Sequence, residues 1–347
     1  MFRPHERLQY NQGSVKWGRM PSCGRLATGL KLAGFATRPQ VDNLPHEWNR
    51  NVMTHPFAPR RSQTELEKEI DFFGLKENPF SLSPDPRFMY LSFQHTKALK
   101  RAKRNIDDKQ GLTVLLGDVG VGKSTVARRL FGMYTDDPEL APVHTIRYIT
   151  NPSHWNTPHK MLATICEEFA IAPRRSETKQ WQEFQAHMAL LFERGITVVL
   201  LLDEAQLIPR RQLQRVREIL NFESNSSKFI QIVLFGTLEM GATLAEPDFK
   251  ALRSRAAGGV ITLNPLDEPE MIDALQFRIK VAGESHPELL FQPDCFGMIA
   301  NASNGIIRQA VDYCRMAMYL AYTAGSKTIT PSIVESTIES VLRLTVE

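Results

Sequence analysis

The run Leu112-Thr113-Val114-Leu115-Leu116-Gly117-Asp118-Val119-Gly120-Val121-Gly122-Lys123-Ser124-Thr125 reads as an apolar strand, a glycine loop and the start of a helix, with the spacing G-x-x-x-x-G-K-S. Glycines allow the sharp turn that lets backbone N–H groups converge on phosphate oxygens, and the helix that follows points its positive end at them. In such a loop Lys123 reaches the β- and γ-phosphates and the Ser124 hydroxyl ligates Mg²⁺. The expected ligands are therefore ATP and Mg²⁺, and the expected contacts are Gly117, Asp118, Val119, Gly120, Val121, Gly122, Lys123, Ser124 and Thr125.

A second apolar run, Thr197-Val198-Val199-Leu200-Leu201-Leu202, ends in Asp203-Glu204. An acidic pair at a strand end can divide two tasks: Asp203 supports the Mg²⁺ shell, and Glu204 orients and polarises the attacking water. The bland alternative is that Asp203 merely caps the next helix. Downstream of the glycine loop, the pair implies hydrolysis as well as binding. A third run, residues 230–235, leads into Gly236-Thr237, whose hydroxyl is expected at the same edge of the sheet, where ligands gather. Arg253 and Arg255 follow it. At least one of them is expected to act in trans as an arginine finger, against the ordinary reading of two surface ion-pair residues. Arg308, near the start of a later helix, is expected to reach back over the nucleotide and to couple hydrolysis to domain movement.

Around these motifs the fold class is α/β. Short apolar runs at 112–116, 145–149, 198–202 and 230–235 alternate with helical patterns, as in a parallel sheet buried on both faces. After Pro265 only helical spacing remains, at 269–282, 296–300, 306–324 and 331–344. The expected organisation is a basic N-terminal extension over 1–65, an α/β nucleotide-binding domain over 66–264 and a helical lid over 265–347. The first 62 residues hold ten Lys or Arg against Glu6, Asp42 and Glu47, so with a formal net charge of +4 the remainder is net negative. That arm is either a solvated tail or a segment that binds DNA or a partner. Cys23, Cys166, Cys295 and Cys314 are widely spaced with no C-x-x-C pair, which argues against a zinc site or a disulfide framework. No window approaches the ~20 apolar residues of a membrane helix. The location expected is the cytoplasm, without membrane association.

At this point the residues resemble a known group. The core resembles an AAA+ ATPase: a P-loop AAA+ domain with a parallel sheet covered by helices, then a small all-helical lid. The run 73–92, opening Phe73-Gly74-Leu75 and passing Asn78-Pro79-Phe80 and Arg87 to Tyr90, with His95 and Ala98-Leu99, resembles the opening of one AAA+ branch. That branch holds the secretion ATPase ExeA and the transposition regulators TnsC, TniB and MuB. Asp203-Glu204-Ala205-Gln206 matches its acidic motif, and Asn304-Gly305 to Arg308 matches its second sensor, with Ile307 where a proline is usual. The resemblance implies that Thr237 is the first sensor, that Arg253 or Arg255 is the finger, and that subunits assemble into ATP-driven rings or filaments. The sequence ends with the lid, which favours the regulators over ExeA-like proteins with their membrane span and extracytoplasmic domain.

The expected function on that resemblance is an ATP-dependent regulator of transposition that oligomerises on double-stranded DNA and links a target-selection protein to the transposase. The alternative is an ExeA-like secretion-system assembly ATPase. Candidate DNA contacts are the loop 150–160, with His154, Trp155, His159 and Lys160, and the cations Arg174, Arg175, Lys179, Arg210 and Arg211. Core packing is the competing role for Trp155.

Overall fold

The computed structural model describes residues 64–82, 85–223, 228–256 and 259–344. The basic arm expected at the N-terminus, with Cys23, lies outside them up to residue 63, as do Ser83 and Pro84 of the 73–92 run. In chain order the elements begin α1 (Glu65–Phe73), α2 (Phe93–Asp107), β1 (Leu112–Gly117), α3 (Lys123–Thr135), β2 (His144–Ile149), α4 (Pro158–Glu168) and α5 (Glu177–Glu193). They continue as β3 (Thr197–Leu202), α6 (Arg210–Leu220), β4 (Ile230–Gly236), α7 (Leu238–Ala245), α8 (Lys250–Arg253) and β5 (Val260–Leu263). Helices α9 (Glu268–Val281), α10 (Pro287–Leu290), α11 (Pro293–Ala302), α12 (Ile307–Thr323) and α13 (Pro331–Leu344) follow.

The strands form one parallel sheet in the order β2-β3-β4-β1-β5. Every residue of β1 and β4 is buried, because alternate side chains enter two different cores. Leu200, Leu202, Ile232 and Leu234 pack with α4, α5 and α6, through residues such as Leu162, Phe184 and Leu213. Val199, Leu201, Val233 and Phe235 pack on the opposite face with Leu99 and Ile106 of α2 and Val126 and Leu130 of α3. The register fixes what matters for chemistry: Leu202 pairs with Leu234, Leu116 with Gly236, and Gly117 with Leu263. The loop after β1, the acids after β3 and Thr237 after β4 therefore leave the sheet at one edge.

Strand β5 and helix α1 are among the elements the sequence does not mark out. Strand β5 is an edge strand only four residues long whose side chains alternate exposed and buried, too short a pattern to stand out from a loop. Helix α1 starts at the boundary expected between the N-terminal extension, 1–65, and the α/β domain, 66–264. Its start has a capping box, in which Thr64 accepts from the Glu67 N–H and the Glu67 carboxylate accepts from the Thr64 N–H, and it ends at Gly74 in the left-handed region.

The helices after β5 build their own core around Met271, Leu275, Phe296, Ile299 and Cys314. Leu75, Phe80 and Phe88 also belong to it, so the segment ahead of α2 packs as a strap on the lid. Arg278 of α9 holds the strap: Nε donates to the Pro79 carbonyl at 2.8 Å, Nη2 to Ser81 at 2.7 Å and Nη1 to Phe88 at 3.3 Å. Burial among these carbonyls pushes its pKa down. Within the helical region, the turn between α11 and α12 is tied to the segment ahead of α9: the Gly305 carbonyl accepts from the Leu266 N–H at 2.9 Å. Gly305 has φ +74°, and a Cβ there would stand 2.3 Å from the Leu266 carbonyl oxygen.

Gly305→Ala forces both a left-handed alanine and that clash. The expected loss is about 1–3 kcal/mol, read as a lowered midpoint of thermal unfolding; an unchanged midpoint would show that the turn between α11 and α12 does not depend on this approach.

Candidate functional site

The loop after β1 is shaped by its glycines and by one histidine. Gly120 and Gly122 lie at φ +86° and +102°. His95, buried on α2, is fixed from both sides: its Nδ1 stands 2.9 Å from the Ser92 hydroxyl and its Nε2 2.8 Å from the Val121 carbonyl. A carbonyl can only accept, so Nε2 carries a proton, and the Ser92 hydroxyl, which can donate, suits an unprotonated Nδ1. Burial holds its pKa below the ordinary value of 6.5. A Cβ on Gly122 would sit 2.5 Å from His95 Nε2. His95 thus braces the loop from beneath, a role the sequence reading did not assign; only the 26-residue separation in sequence hid it.

Lys123 is buried, and its ammonium donates to the Gly117 carbonyl at 2.9 Å and the Asp118 carbonyl at 2.8 Å. Burial lowers its pKa, while Glu204, Asp203 and Asp118 oppose that shift and Arg308 adds to it. A cleft of about 230 Å³ opens over the loop. Its walls include Gly120, Lys123, Ser124 and Thr125 of the loop, Glu204 from the strand end, and Arg308 from the lid. A Cβ on Gly120 would lie 3.0 Å from that of Arg308, so the lid residue stands directly against the loop. The strap and lid supply the remaining walls, with Met89, Tyr90, Ala274 and Val311. The set fits a nucleoside triphosphate with Mg²⁺: a cradle with no room for side chains, a buried ammonium facing carbonyls alone, and carboxylates beside a hydroxyl.

Around the acidic pair each group is held. The Tyr148 hydroxyl on β2 donates to Asp203 Oδ2 at 2.7 Å, and the Glu204 N–H donates to Oδ1 at 3.0 Å, so the Asp203 carboxylate is oriented from both oxygens. Burial, together with Asp203 and its hydrogen bond, pushes the Tyr148 pKa well up, which keeps the phenol a donor. Glu204 adopts φ +50°, a conformation rare outside glycine. Its carboxylate accepts from Gln206 Nε2, while Gln206 Oε1 accepts from the Thr237 N–H at 3.2 Å. Thr237 caps α7, and its hydroxyl bonds to Glu239 and lowers that carboxylate's pKa.

The structure gathers Lys123, Ser124, Thr125, Glu204 and Arg308 in the cleft, with Asp203 and Thr237 immediately beside it. It does not bring Arg253 or Arg255 there. Arg253 is exposed and donates to the Leu244 carbonyl at 2.9 Å; Arg255 is half-buried and donates to Ala251 O at 2.9 Å and Asn221 Oδ1 at 2.6 Å. Of the expected DNA contacts, Trp155 is buried in the core. His154 bonds Thr164, His159 bonds the Arg174 carbonyl, Arg174 pairs with Glu183, and Arg210 pairs with Glu246. Among the described residues Arg175, Lys179 and Arg211 are exposed without an ion pair. No described helix is long and apolar enough to cross a membrane, and Cys166, Cys295 and Cys314 are buried thiols.

Comparison with known proteins agrees with this geometry. Residues 106–244 match the family model described as an AAA domain. General secretion pathway protein A of Aeromonas hydrophila is 33% identical over 260 residues, which is 74% of this chain and 46% of that protein. The chain thus spans under half the length of that curated relative. Among solved structures, Cdc6p of Pyrobaculum aerophilum matches with TM-score 0.59 at 21% identity, over 75% of this chain and 69% of that one. Drosophila ORC bound to DNA matches with TM-score 0.60 at 19% identity, over 88% and 70%. These two likenesses show the fold: an AAA+ P-loop fold with a helical C-terminal region.

Because the fold disfavours protonated His95, the unfolded chain binds more protons as pH falls below 6.5. The contribution is complete above that value and is lost progressively beneath it. Thermal midpoints between pH 5 and 8 should fall on the acid side, and His95→Gln, which keeps a donor for the Val121 carbonyl, should flatten the slope. Identical slopes in both proteins would remove His95 from the pH dependence.

Proposed function

We propose that this chain, built on an AAA+ P-loop ATPase core, binds ATP with Mg²⁺ and hydrolyses it, using the lid to register the nucleotide. The observation that carries this reading is the convergence of Lys123, the Asp203–Glu204 pair and the lid's Arg308 on one edge of a parallel sheet. Lys123 would exchange its two carbonyl partners for β- and γ-phosphate oxygens. Ser124 and Asp203 would hold Mg²⁺, which supplies charge neutralisation at the phosphates when bound. Glu204 would take the proton of the attacking water. Thr237 would sense the γ-phosphate end through its place at the β4 tip. Arg308 brings a second positive charge from the lid, so nucleotide charge favours closure of lid on core. Arg253, the more exposed of its pair, suits a finger reaching a neighbouring subunit's nucleotide in a ring or filament.

For the process served, the secretion-assembly reading has the better support, since the relative at 33% identity is a general secretion pathway protein. The transposition reading, with double-stranded DNA, a transposase and a target-selection protein as partners, keeps one observation of its own: the exposed, unpaired cations Arg175, Lys179 and Arg211. Sedimentation and turnover with ATP, with ADP, and with or without double-stranded DNA at fixed moderate salt separate the two. Assembly indifferent to DNA favours the first reading, and triphosphate-dependent assembly on DNA favours the second.

Lys123→Ala should weaken ATP binding by about 10–100-fold, the worth of a charge-assisted contact. Glu204→Gln should bind ATP normally while its turnover falls by about 10²–10⁴-fold. Nucleotide titration and steady-state phosphate release check both, and normal turnover in Glu204→Gln would remove that carboxylate from the mechanism.

A further inference from the structure

We propose that Gln206 is a positioning residue for hydrolysis, its side-chain amide clamping the Glu204 carboxylate to the tip of β4; this rests on the ATPase reading above. The two ends of the amide are used in the only way their chemistry permits. Glu204 Oε2 requires a donor and receives Nε2, while the Thr237 N–H requires an acceptor and receives Oε1 at 3.2 Å. Rotating the amide by half a turn would set oxygen against carboxylate and nitrogen against N–H, so its orientation is fixed by the partners.

Three features make this more than a surface contact. Glu204 stands at φ +50°, a conformation that persists only where its surroundings hold it. Among the described residues no other group hydrogen-bonds to its carboxylate, so Gln206 sets the direction in which the free lone pairs point. The clamp also spans two strand ends: β3 delivers Glu204, and β4 delivers Thr237, whose hydroxyl continues the chain of bonds to Glu239 on α7. A shift at the β4 tip is thereby transmitted to the carboxylate that faces the water. Gln206 does not line the cleft, so it acts through Glu204 and not on the nucleotide.

The test uses the full chain with ATP and Mg²⁺, comparing the parent, Glu204→Gln, Gln206→Glu and Gln206→Met. Gln206→Glu keeps the acceptor for Thr237 but loses the donor and adds a like charge beside Glu204; Gln206→Met keeps length and loses both ends. Both variants should lose about 10–100-fold in kcat, as is usual for a residue that orients a reacting group, with KM and melting temperature unchanged. Gln206→Met should cost nothing more on the Glu204→Gln background, since the two act as one unit. Unchanged kcat in Gln206→Glu overturns the clamp, as does a loss matched by a lower melting temperature, which would assign Gln206 to the fold. If the parent shows no turnover that Glu204→Gln abolishes, the hydrolysis reading itself fails and the clamp fails with it.

Discussion

The positive charge of Lys123 is carried into a loop with almost no access to water, and the surrounding structure is organised around making that tolerable. Desolvation pushes the ammonium toward neutrality, and Glu204, Asp203 and Asp118 pull it back. Those carboxylates can be near only because β3 and β1 flank β4 in register, with all three strand ends at one edge. A slip of one residue in any of these strands would exchange its two faces between the cores and carry the acids away from the loop. Core packing and site electrostatics are thus one constraint.

The loop itself is held by groups that no single element contains. His95 comes from α2, the register partner Leu263 from β5, and Arg308 from the lid. The strap that closes the cleft is fastened to α9 by the buried guanidinium of Arg278, whose three carbonyl acceptors leave it no need of a carboxylate. Because strap and lid share one hydrophobic core, movement of the lid carries the strap wall of the cleft with it.

Assigning a cellular process draws on weaker observations than assigning the chemistry. The relative with the higher identity is a general secretion pathway protein, whereas the Cdc6p and ORC structures share the fold at 19–21% identity. Several cations that looked available for DNA in the sequence are occupied: Arg174 by Glu183 and Arg210 by Glu246. Charge counted along a sequence overstates the free charge on a surface, since ion pairs form between residues far apart in the chain.

The sequence by itself determined the chemistry-bearing segments: the glycine loop, the acidic strand end, the buried parallel strands and the lid helices. Each is written in contiguous residues whose local geometry follows from their own types, as with Gly117 to Thr125 or the continuous apolar run of β3. The capping box at Thr64 and Glu67 is equally legible but straddles the boundary expected between arm and α/β domain. Tertiary structure alone decided the rest. The brace of His95, the hold of Tyr148 on Asp203, the bridge of Gln206 to Thr237, the Arg278 fastening and the short edge strand β5 all depend on which distant segments become neighbours. One histidine or glutamine has no periodicity to betray its partner, and a half-buried strand of four residues carries too little pattern to be told from a loop. Those contacts follow from the tertiary arrangement: covering one face of the sheet brings α2 to the loop, and the strand order sets β2 beside β3.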